Sequence, residues 1–300
     1  MTLRLFRHFN SILPPNHIWI IGNFDGLHKG HQVLIDTARE IAAETGQKIG
    51  ILSFNPHPNV FFSPHKNAIH IMQQSEKIRL LAQWGIDYYY LHPFNAQLAQ
   101  MSATAFCYKL KSQFQPTHLI IGHDFHFGKN RSGTPEFLNE FCTHNAINCI
   151  IVPPVLANNQ MRYASGAIRD FLQQGDIKSV NHFLGHPYII TGRVRHGRKL
   201  ASQLGFPTAN IIPKNLFLPK YGVYKCHITN MNNMPAIANI GVKPTIDNND
   251  IPLVEVHIPN FTGNLYGKKL RIAFDDFMRA EQKFGSLEAL KKQIHLDVKR

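Results

Sequence analysis

The chain has 300 residues, 44% of them hydrophobic and 17% charged, which is room for about two domains with separate cores and excludes a disordered or fibrous protein. Its formal net charge of +13, with 18 further histidines, suits anionic partners such as nucleotides, nucleic acid or a membrane surface. There is no long Lys/Arg block, no zinc-finger pattern and no apolar run long enough to span a membrane, so neither nucleic acid nor a membrane is the expected partner. The N-terminal Met1–Arg7 lacks the apolar core of a signal peptide, and Cys107, Cys142, Cys149 and Cys226 form no C-x-x-C pair and suggest no disulfide framework. A reduced, cytoplasmic setting is the expectation.

In chain order, Ile18–Ile21 reads as a short buried strand. From Gln32 to Thr45 the residues Leu34, Ala38, Ile41 and Ala42 recur at helical spacing, and Gly46 supplies a stop. Between them lies Gly22-Asn23-Phe24-Asp25-Gly26-Leu27-His28-Lys29-Gly30-His31, a strand-to-helix turn. In an open α/β sheet such a turn binds phosphate, because free backbone N–H groups and the helix dipole point at an anion. Gly22 and Gly26 permit a tight turn. His28 and His31 face one side of a first helical turn, and each ring can donate to a phosphate oxygen. Taken alone, the two histidines could also be surface residues or half of a metal site, although no Cys or carboxylate pattern completes one.

Lys48–Phe54 reads as the next strand and stops at Asn55-Pro56-His57-Pro58. A helix over Ser75–Trp84, a strand over Asp87–Leu91, a helix capped by Ser102 and running through Leu110, and a strand over Thr117–Ile121 follow. The loop Gly122-His123-Asp124-Phe125-His126-Phe127-Gly128-Lys129-Asn130-Arg131-Ser132-Gly133 offers a carboxylate, two aromatic faces for stacking and a guanidinium. Thr134-Pro135-Glu136 opens a helix with a cap, an N1 proline and an acid in the first turn. A strand over Ile147–Val152 and helices over Ile168–Gln174 and Ile177–Leu184 complete an alternation that implies a parallel sheet covered by helices.

From about residue 187 strands follow one another without helices: Tyr188–Val194, Thr208–Ile212, Val223–Thr229, Ala236–Val242, Leu253–Ile258 and Lys269–Phe274. Turn signals separate them at Asn232-Asn233, Asn248-Asn249 and Thr262-Gly263-Asn264. This predicts a small antiparallel barrel or sandwich, closed by one amphipathic helix that starts at Ser286 and carries Leu287, Leu290 and Ile294 on one face. Glu255 and His257 share a face of an alternating strand.

Gly22–His31 resembles the His-x-Gly-His signature of the nucleotidylyltransferase superfamily, in the Gly-x-Phe-Asp-Gly-x-His-x-Gly-His form of bacterial FAD synthetases. Phe54–Pro58 is similar to their Phe-x-Pro-His-Pro string, and Gly122–Gly133 to their Gly-x-Asp-Phe-x-Phe-Gly-x-x-Arg-x-Gly loop. Gly205-Phe206-Pro207-Thr208-Ala209-Asn210 resembles the Pro-Thr-Ala-Asn signature of riboflavin kinases, with further likeness at Ala238–Thr245, Leu265–Lys268 and Arg279–Phe284. The resemblance runs over nearly the whole chain in the family's order. It implies a Rossmann-like nucleotidylyltransferase domain over residues 1–184 and a riboflavin-kinase-like antiparallel β-barrel over residues 185–300. The substrates it implies are riboflavin, FMN and ATP, with flavins as product too and Mg²⁺ accompanying ATP. Self-association is left open.

The same resemblance implies roles for single residues. His28 and His31 hold the ATP triphosphate, with Gly22, Phe24, Asp25 and Gly30 around them. Asp124 and Arg131 serve the nucleotide, and Ser165 and Arg169 the phosphates in transfer. Asn55, His57, Pro58 and Phe125 face flavin in the first domain, and Arg279 and Glu281 in the second. Thr208 and Asn210 are hard oxygen ligands for the metal, Gly197 and Lys199 bind ATP, and Glu255 is the general base.

Two departures stand out. Where the family carries Ser-Ser-Thr-x-Ile-Arg, this chain has Ala164-Ser165-Gly166-Ala167-Ile168-Arg169, so two hydroxyl donors are missing, and one such donor can be worth about a hundredfold in rate. Between Gly192 and Gly205 the family's phosphate loop carries several glycines; here only Gly197 remains, beside Arg198 and Lys199. The expectation is two activities, with a single retained activity, or flavin and nucleotide binding without turnover, as the alternatives.

Overall fold

The computed structural model describes residues 3–7, 13, 15–63, 70–158, 160–195, 208–243, 251–282 and 285–299. Its chain divides into two compact units, Met1–Asn67 with Lys77–Ala164, and Ala68–Glu76 with Ser165–Arg300.

The first unit is built on β1 (Arg4–Phe6), β2 (Ile18–Ile21), β3 (Ile49–Asn55), β4 (Tyr88–Pro93), β5 (His118–Gly122) and β6 (Asn148–Val152). These form one six-stranded sheet in the order β1-β4-β3-β2-β5-β6. Every pairing is parallel. Ile18, Trp19, Ile20 and Ile21 are all buried, as a central strand covered on both faces requires. The helices of the first half are α1 (Lys29–Thr45), α2 (Pro58–Phe62), α3 (Gln74–Gln83), α4 (Ala96–Ala99), α5 (Ala103–Phe114) and α6 (Pro135–His144). Their caps follow the sequence: Ser102 Oγ accepts from Ala105 N and Thr134 Oγ1 from Phe137 N, and Gly46 closes α1 in the left-handed region at φ 70°. The strand order reverses at β2, whose successors β3 and β5 lie on opposite sides of it. In such a sheet ligands bind outside the carboxyl ends of the strands at that reversal. The expected phosphate turn follows β2 and the glycine-rich loop follows β5, so both reach the switch point.

The second unit holds α7 (Ser165–Gln174), α8 (Ile177–Leu184), β7 (Tyr188–Arg193), β8 (Thr208–Ile211), β9 (Gly222–Ile228), β10 (Met234–Lys243), β11 (Ile251–His257), β12 (Lys269–Arg279) and α9 (Leu287–Lys299). Its six strands run β7-β12-β9-β10-β11-β8 with every pairing antiparallel. The sheet is curled. Its two edges meet where Arg195 N donates to Asn210 O at 2.8 Å, and a Cβ at Gly192 would run into the Ile211 side chain. β12 continues to Arg279, beyond the Phe274 end read from sequence. Register shifts between Phe274 and Asp276 and between Phe277 and Arg279 carry it past Asp275 and Met278.

Ala68–Glu76 packs with this barrel unit. The Gln73 side chain donates to Thr191 O at 2.8 Å and accepts from Thr191 N at 2.7 Å. Buried Glu76 accepts from Thr191 Oγ1 at 2.9 Å and from Arg271 Nε and Nη2, each at 2.9 Å. At the other end of the unit, Asp297 on α9 is buried and takes both Nε (3.2 Å) and Nη2 (2.7 Å) of Arg279. Ser286 Oγ accepts from Ala289 N, as a cap should. The side chains of Leu287, Leu290 and Ile294 lie outside the described residues.

Candidate active sites

In the first unit the turn after β2 is wound tightly. Gly26 has φ 84°, and Phe24 and Leu27 both have φ 51°, a left-handed conformation that residues with a Cβ seldom adopt. Complete burial of the Phe24 and Leu27 side chains holds it. The helix starts earlier than the Gln32 boundary read from sequence. His28 is the N-cap residue of α1, and its carbonyl accepts from His31 N at 2.7 Å and Gln32 N at 3.1 Å. The two imidazoles are stacked, with ring centroids 3.7 Å apart and 21° between planes. Phe24 leans on His31 at 5.0 Å. Gly30 is needed for closeness: a Cβ there would lie 3.1 Å from both His28 Nδ1 and Tyr163 O. Asp25 is buried under the turn.

A residue that the sequence reading passed over completes this turn. Lys77 on α3 is buried, and its Nζ donates to Asn23 O at 3.3 Å; Ser53 Oγ donates to the same oxygen at 3.1 Å. Burial pushes the His31 pKa well below the ordinary value, and the positive fields of His28 and Lys77 push the same way. His31 Nδ1 is buried with no hydrogen-bond partner among the described residues. The stacked histidines, a buried ammonium and a helix N-terminus together make a place for an anion.

The loop after β5 is pinned by Phe127. Phe127 and Gly133 exchange backbone hydrogen bonds at 3.1 and 2.9 Å, and a Cβ at Gly133 would come within 2.5 Å of the Phe127 ring. The ring is buried against Phe106 and Phe137, so it belongs to the core and does not offer the stacking face expected from the sequence. Phe125, stacked on it at 5.4 Å, is the half-buried member of the pair. Arg131 is exposed in the 3-10 turn Lys129–Arg131. Exposed Asp124 forms an ion pair with Arg162 at 2.7 Å. Burial alone would raise its pKa, but the Arg162 hydrogen bond and charge outweigh that and hold the carboxyl below its ordinary range.

Asn55, His57 and Pro58 lie at the end of β3 and the start of α2. Pro58 is at the first helical position, and His57 caps the helix, its Nδ1 accepting from Asn59 N at 3.1 Å. Around them stands a cluster of phenyl rings: Phe61–Phe62 at 5.2 Å, Phe61–Phe94 at 5.3 Å, Phe62–Phe94 at 5.8 Å and Phe54–Phe94 at 6.0 Å. Phe62 is 65% exposed, which a phenyl ring in a packed cluster has no structural need to be. This shelf suits a planar heteroaromatic ring. The cluster escaped the sequence reading because Phe94, just after β4, is distant in sequence from Phe61 and Phe62 on α2.

Ser165 opens α7, and Arg169 is one helical turn on, so the two share a face while Ile168 is buried in the core. At Gly166 a Cβ would meet nothing within 4 Å. Ala164 and Ser165 fall in different compact units.

In the second unit the register of the sheet assembles a site from distant residues. Asn210 on β8 lies opposite Glu255 on β11, and Glu255 lies opposite Asn239 on β10. The row continues to Val223 on β9 and Arg279 on β12. Thr208 pairs with His257, two residues along on the same face. Directly opposed residues in antiparallel strands point to the same side with Cβ atoms about 5 Å apart. Thr208, Asn210, Glu255, His257 and Asn239 therefore share one face, while Ala209, Val254, Val256 and Ala238 are buried on the other. Glu281 reaches this row, accepting from Asn239 Nδ2 at 3.0 Å. Arg279 has its Nε and Nη2 turned to Asp297. Thr208 and Asn210, two hard oxygen donors beside a carboxylate, fit a Mg²⁺ ion that takes its remaining ligands from nucleotide phosphates and water. Gly197 and Lys199 lie outside the described residues.

Together these features define a two-domain nucleotide-dependent transferase, an adenylyltransferase-type α/β sheet followed by a kinase-type barrel. Residues 12–165 match the FAD synthetase family and residues 184–300 the riboflavin kinase family. A bifunctional riboflavin kinase/FMN adenylyltransferase of Pseudomonas fluorescens is 35% identical over 99% of this chain and 96% of its own. Proteins of the same description from Escherichia coli K12 and Listeria monocytogenes are 32% and 31% identical, over 92% and 94% of this chain and 89% and 90% of theirs. A solved structure from Streptococcus pneumoniae, described as a macrolide-efflux protein, is similar with a TM-score of 0.88 and 28% identity over 100% of this chain and 98% of that one. No helix among the described residues is long and apolar enough to cross a membrane. The chain belongs to the bifunctional riboflavin kinase/FMN adenylyltransferase family.

Proposed function

We propose that this protein phosphorylates riboflavin to FMN with ATP and then adenylylates FMN to FAD, with kinase chemistry in residues 185–300 and adenylyl transfer in residues 1–184. The observation that carries the reading is the register that sets Glu255 directly between Asn210 and Asn239 on one half-buried face.

In the kinase half Glu255 takes the proton of the riboflavin 5′-hydroxyl as its oxygen attacks the γ-phosphorus of ATP, and ADP leaves. Thr208 Oγ1 and Asn210 Oδ1 would hold Mg²⁺, which would supply charge neutralisation on the phosphates when bound. Gly197 and Lys199 contact the nucleotide. Arg279, anchored by Asp297, and Glu281, anchored by Asn239, border the flavin.

In the adenylyltransferase half the nucleophile is a phosphate oxygen of FMN, which is already ionised at neutral pH. No base is required, and the protein's task is positioning and charge. The α1 N-terminus, His28, His31 and Lys77 receive the triphosphate of ATP, with Gly22, Phe24, Asp25 and Gly30 shaping the turn. Asp124 and Arg131 serve the nucleotide, and Ser165 and Arg169 stabilise the charge that passes to pyrophosphate. The flavin ring rests on Phe62 and its neighbours, near Asn55, His57, Pro58 and Phe125. A cytoplasmic location fits both reactions.

The test is to incubate the protein with riboflavin, ATP and Mg²⁺ and to resolve the flavins by chromatography. FMN followed by FAD is the expected result. FMN without FAD sinks the adenylyl-transfer half. Neither product, with flavin still bound, makes the chain a binding protein.

A further inference from the structure

We propose that Asn239 is a further substrate-contacting residue of the kinase site, its Oδ1 accepting a hydrogen bond from a hydroxyl of the polyol chain of riboflavin. The inference rests on the kinase reading above and goes beyond the base and metal ligands that motif likeness supplies.

The orientation of the Asn239 amide is settled by its surroundings. Its Nδ2 donates to Glu281 Oε1 at 3.0 Å. Turning the amide over would set its oxygen against a carboxylate, two acceptors face to face, so the assignment has one sensible direction. Glu281 lies close over β10. Two residues along β10, on the same face, Gly241 leaves room for the carboxylate, and a Cβ there would collide with Glu281 Oε1. The glycine lets the acid lie along the strand, the acid holds the amide nitrogen, and the amide oxygen is thereby aimed away from Glu281.

That oxygen is buried and has no hydrogen-bond partner among the described residues. A buried acceptor without a donor is costly, and native structures keep few of them. Its position says what completes it. Asn239 stands directly opposite Glu255, and on the far side of Glu255 stands Asn210. ATP phosphates and their metal belong with Asn210 and Thr208, and phosphate oxygens are acceptors that would repel another acceptor. The missing group must therefore be an O–H or N–H donor on the side of Glu255 away from the metal. The substrate whose terminal hydroxyl meets Glu255 carries further hydroxyls on the adjoining carbons, and these are the nearest donors. Asn239 fixes the chain so that its terminal hydroxyl is presented to the base.

The experiment compares the wild type with N239A, N239S, E281Q and N239A/E281Q. It measures KM for riboflavin and for ATP, riboflavin affinity by quenching of flavin fluorescence, and unfolding midpoints as a check of folding. Lumiflavin, which has the ring system without the polyol, serves as a competitive ligand. Loss of one neutral hydrogen bond predicts a rise of about three- to tenfold in riboflavin KM and Kd for N239A. The ATP KM should stay within about twofold and lumiflavin affinity should be unchanged. N239S, which keeps a shorter hydroxyl acceptor, should be intermediate. Because Glu281 aims the amide, the effects of N239A and E281Q should be less than additive, with the double variant still worse than E281Q alone if the oxygen touches substrate. A double variant no worse than E281Q alone means that Asn239 acts only by holding Glu281, and overturns the proposal. A shift in ATP KM instead, or an equal loss of lumiflavin affinity, overturns it too. If the wild type forms no FMN, the kinase reading itself fails; if it forms FMN and N239A and N239S leave riboflavin KM unchanged, only this inference does.

Discussion

The turn after β2 and the row across β8, β11 and β10, the two sites proposed for phosphate transfer, are made in different ways. At the turn, ten consecutive residues from Gly22 to His31 supply backbone, rings and helix dipole, and one distant residue, Lys77, adds charge. In the barrel, Asn210, Glu255 and Asn239 come from three strands and meet only because the register is right. The chemistry matches the construction. An ionised phosphate nucleophile needs fixed positive potential, which a helix start and a buried ammonium provide. An alcohol nucleophile needs a base held against its hydroxyl, which a side chain on a rigid strand provides.

The largest expected effect separates the two sites. Glu255→Gln keeps size and removes the base, so FMN formation should fall by roughly 10²- to 10⁴-fold. Conversion of added FMN to FAD should continue at the wild-type rate. Loss of both activities, measured by chromatography of the flavins, would refute the division between the domains.

Next comes the stability of the barrel unit, which depends on a segment far from it in sequence. Glu76 is 4% exposed and is held by Arg271 through two nitrogens. Glu76→Ala leaves Arg271 and Thr191 without their acceptor, and breaking a buried pair in this way costs about 3 kcal/mol. A urea midpoint for the kinase half that does not move would mean that residues 70–76 contribute no stability to it.

Lys77→Met tests the charge at the turn. The isosteric loss of one charge-assisted contact to phosphate predicts a fall in FAD formation of about 10- to 100-fold, with FMN formation intact. His31 beside it is held neutral by burial. With the folded pKa of His31 depressed, the native ring stays neutral while the unfolded ring takes up a proton below about pH 6.5. The unfolded state then binds more protons, so His31 subtracts stability as pH falls through that value. The rate of adenylyl transfer should show no inflection from His31 between about pH 6.5 and 8. An inflection that disappears in His31→Asn would show that the ring titrates in that range.

The sequence made some of this legible and hid the rest for physical reasons. The Gly22–His31 turn is local, so its residues could be read in place, although the helix starts at Lys29 because the His28 carbonyl serves both His31 and Gln32. α2 was hidden by its prolines: Pro58 is harmless at the first position, and the cap is a histidine ring rather than a Ser, Thr, Asp or Asn side chain. β1 is too short for any periodicity to show. Lys77 and Glu76 sit on a helix whose spacing was read correctly, but charged residues on such a helix suggest solvent. Partners far away in sequence, the Asn23 carbonyl 54 residues from Lys77 and Arg271 195 residues from Glu76, go with their burial. The barrel row shows the same limit. Glu255 and His257 could be put on one face by alternation, whereas the pairing of Glu255 with Asn210 is a property of the register between strands.

The smallest effect concerns the one place where the adenylyltransferase half falls short of its family's pattern. Gly166 is in the first turn of α7, between Ser165 and Arg169, and a Cβ there would meet nothing within 4 Å. Gly166→Thr therefore introduces a hydroxyl on a Cβ that has open space around it. It also replaces the residue that most weakens a helix among those other than proline, a gain of a few tenths of a kcal/mol. Ala164→Ser restores the second hydroxyl. A full preorganised donor is worth about 10²-fold, but a grafted one is held less firmly, so a rise in FAD formation of about three- to tenfold is the expected outcome for the double variant. FMN formation should not change. A double variant that folds as the wild type does but makes FAD no faster would show that Arg169 and the backbone at the start of α7 already saturate the phosphate. The missing hydroxyls would then be a neutral departure, and the turn at His28 would be the element that limits the rate.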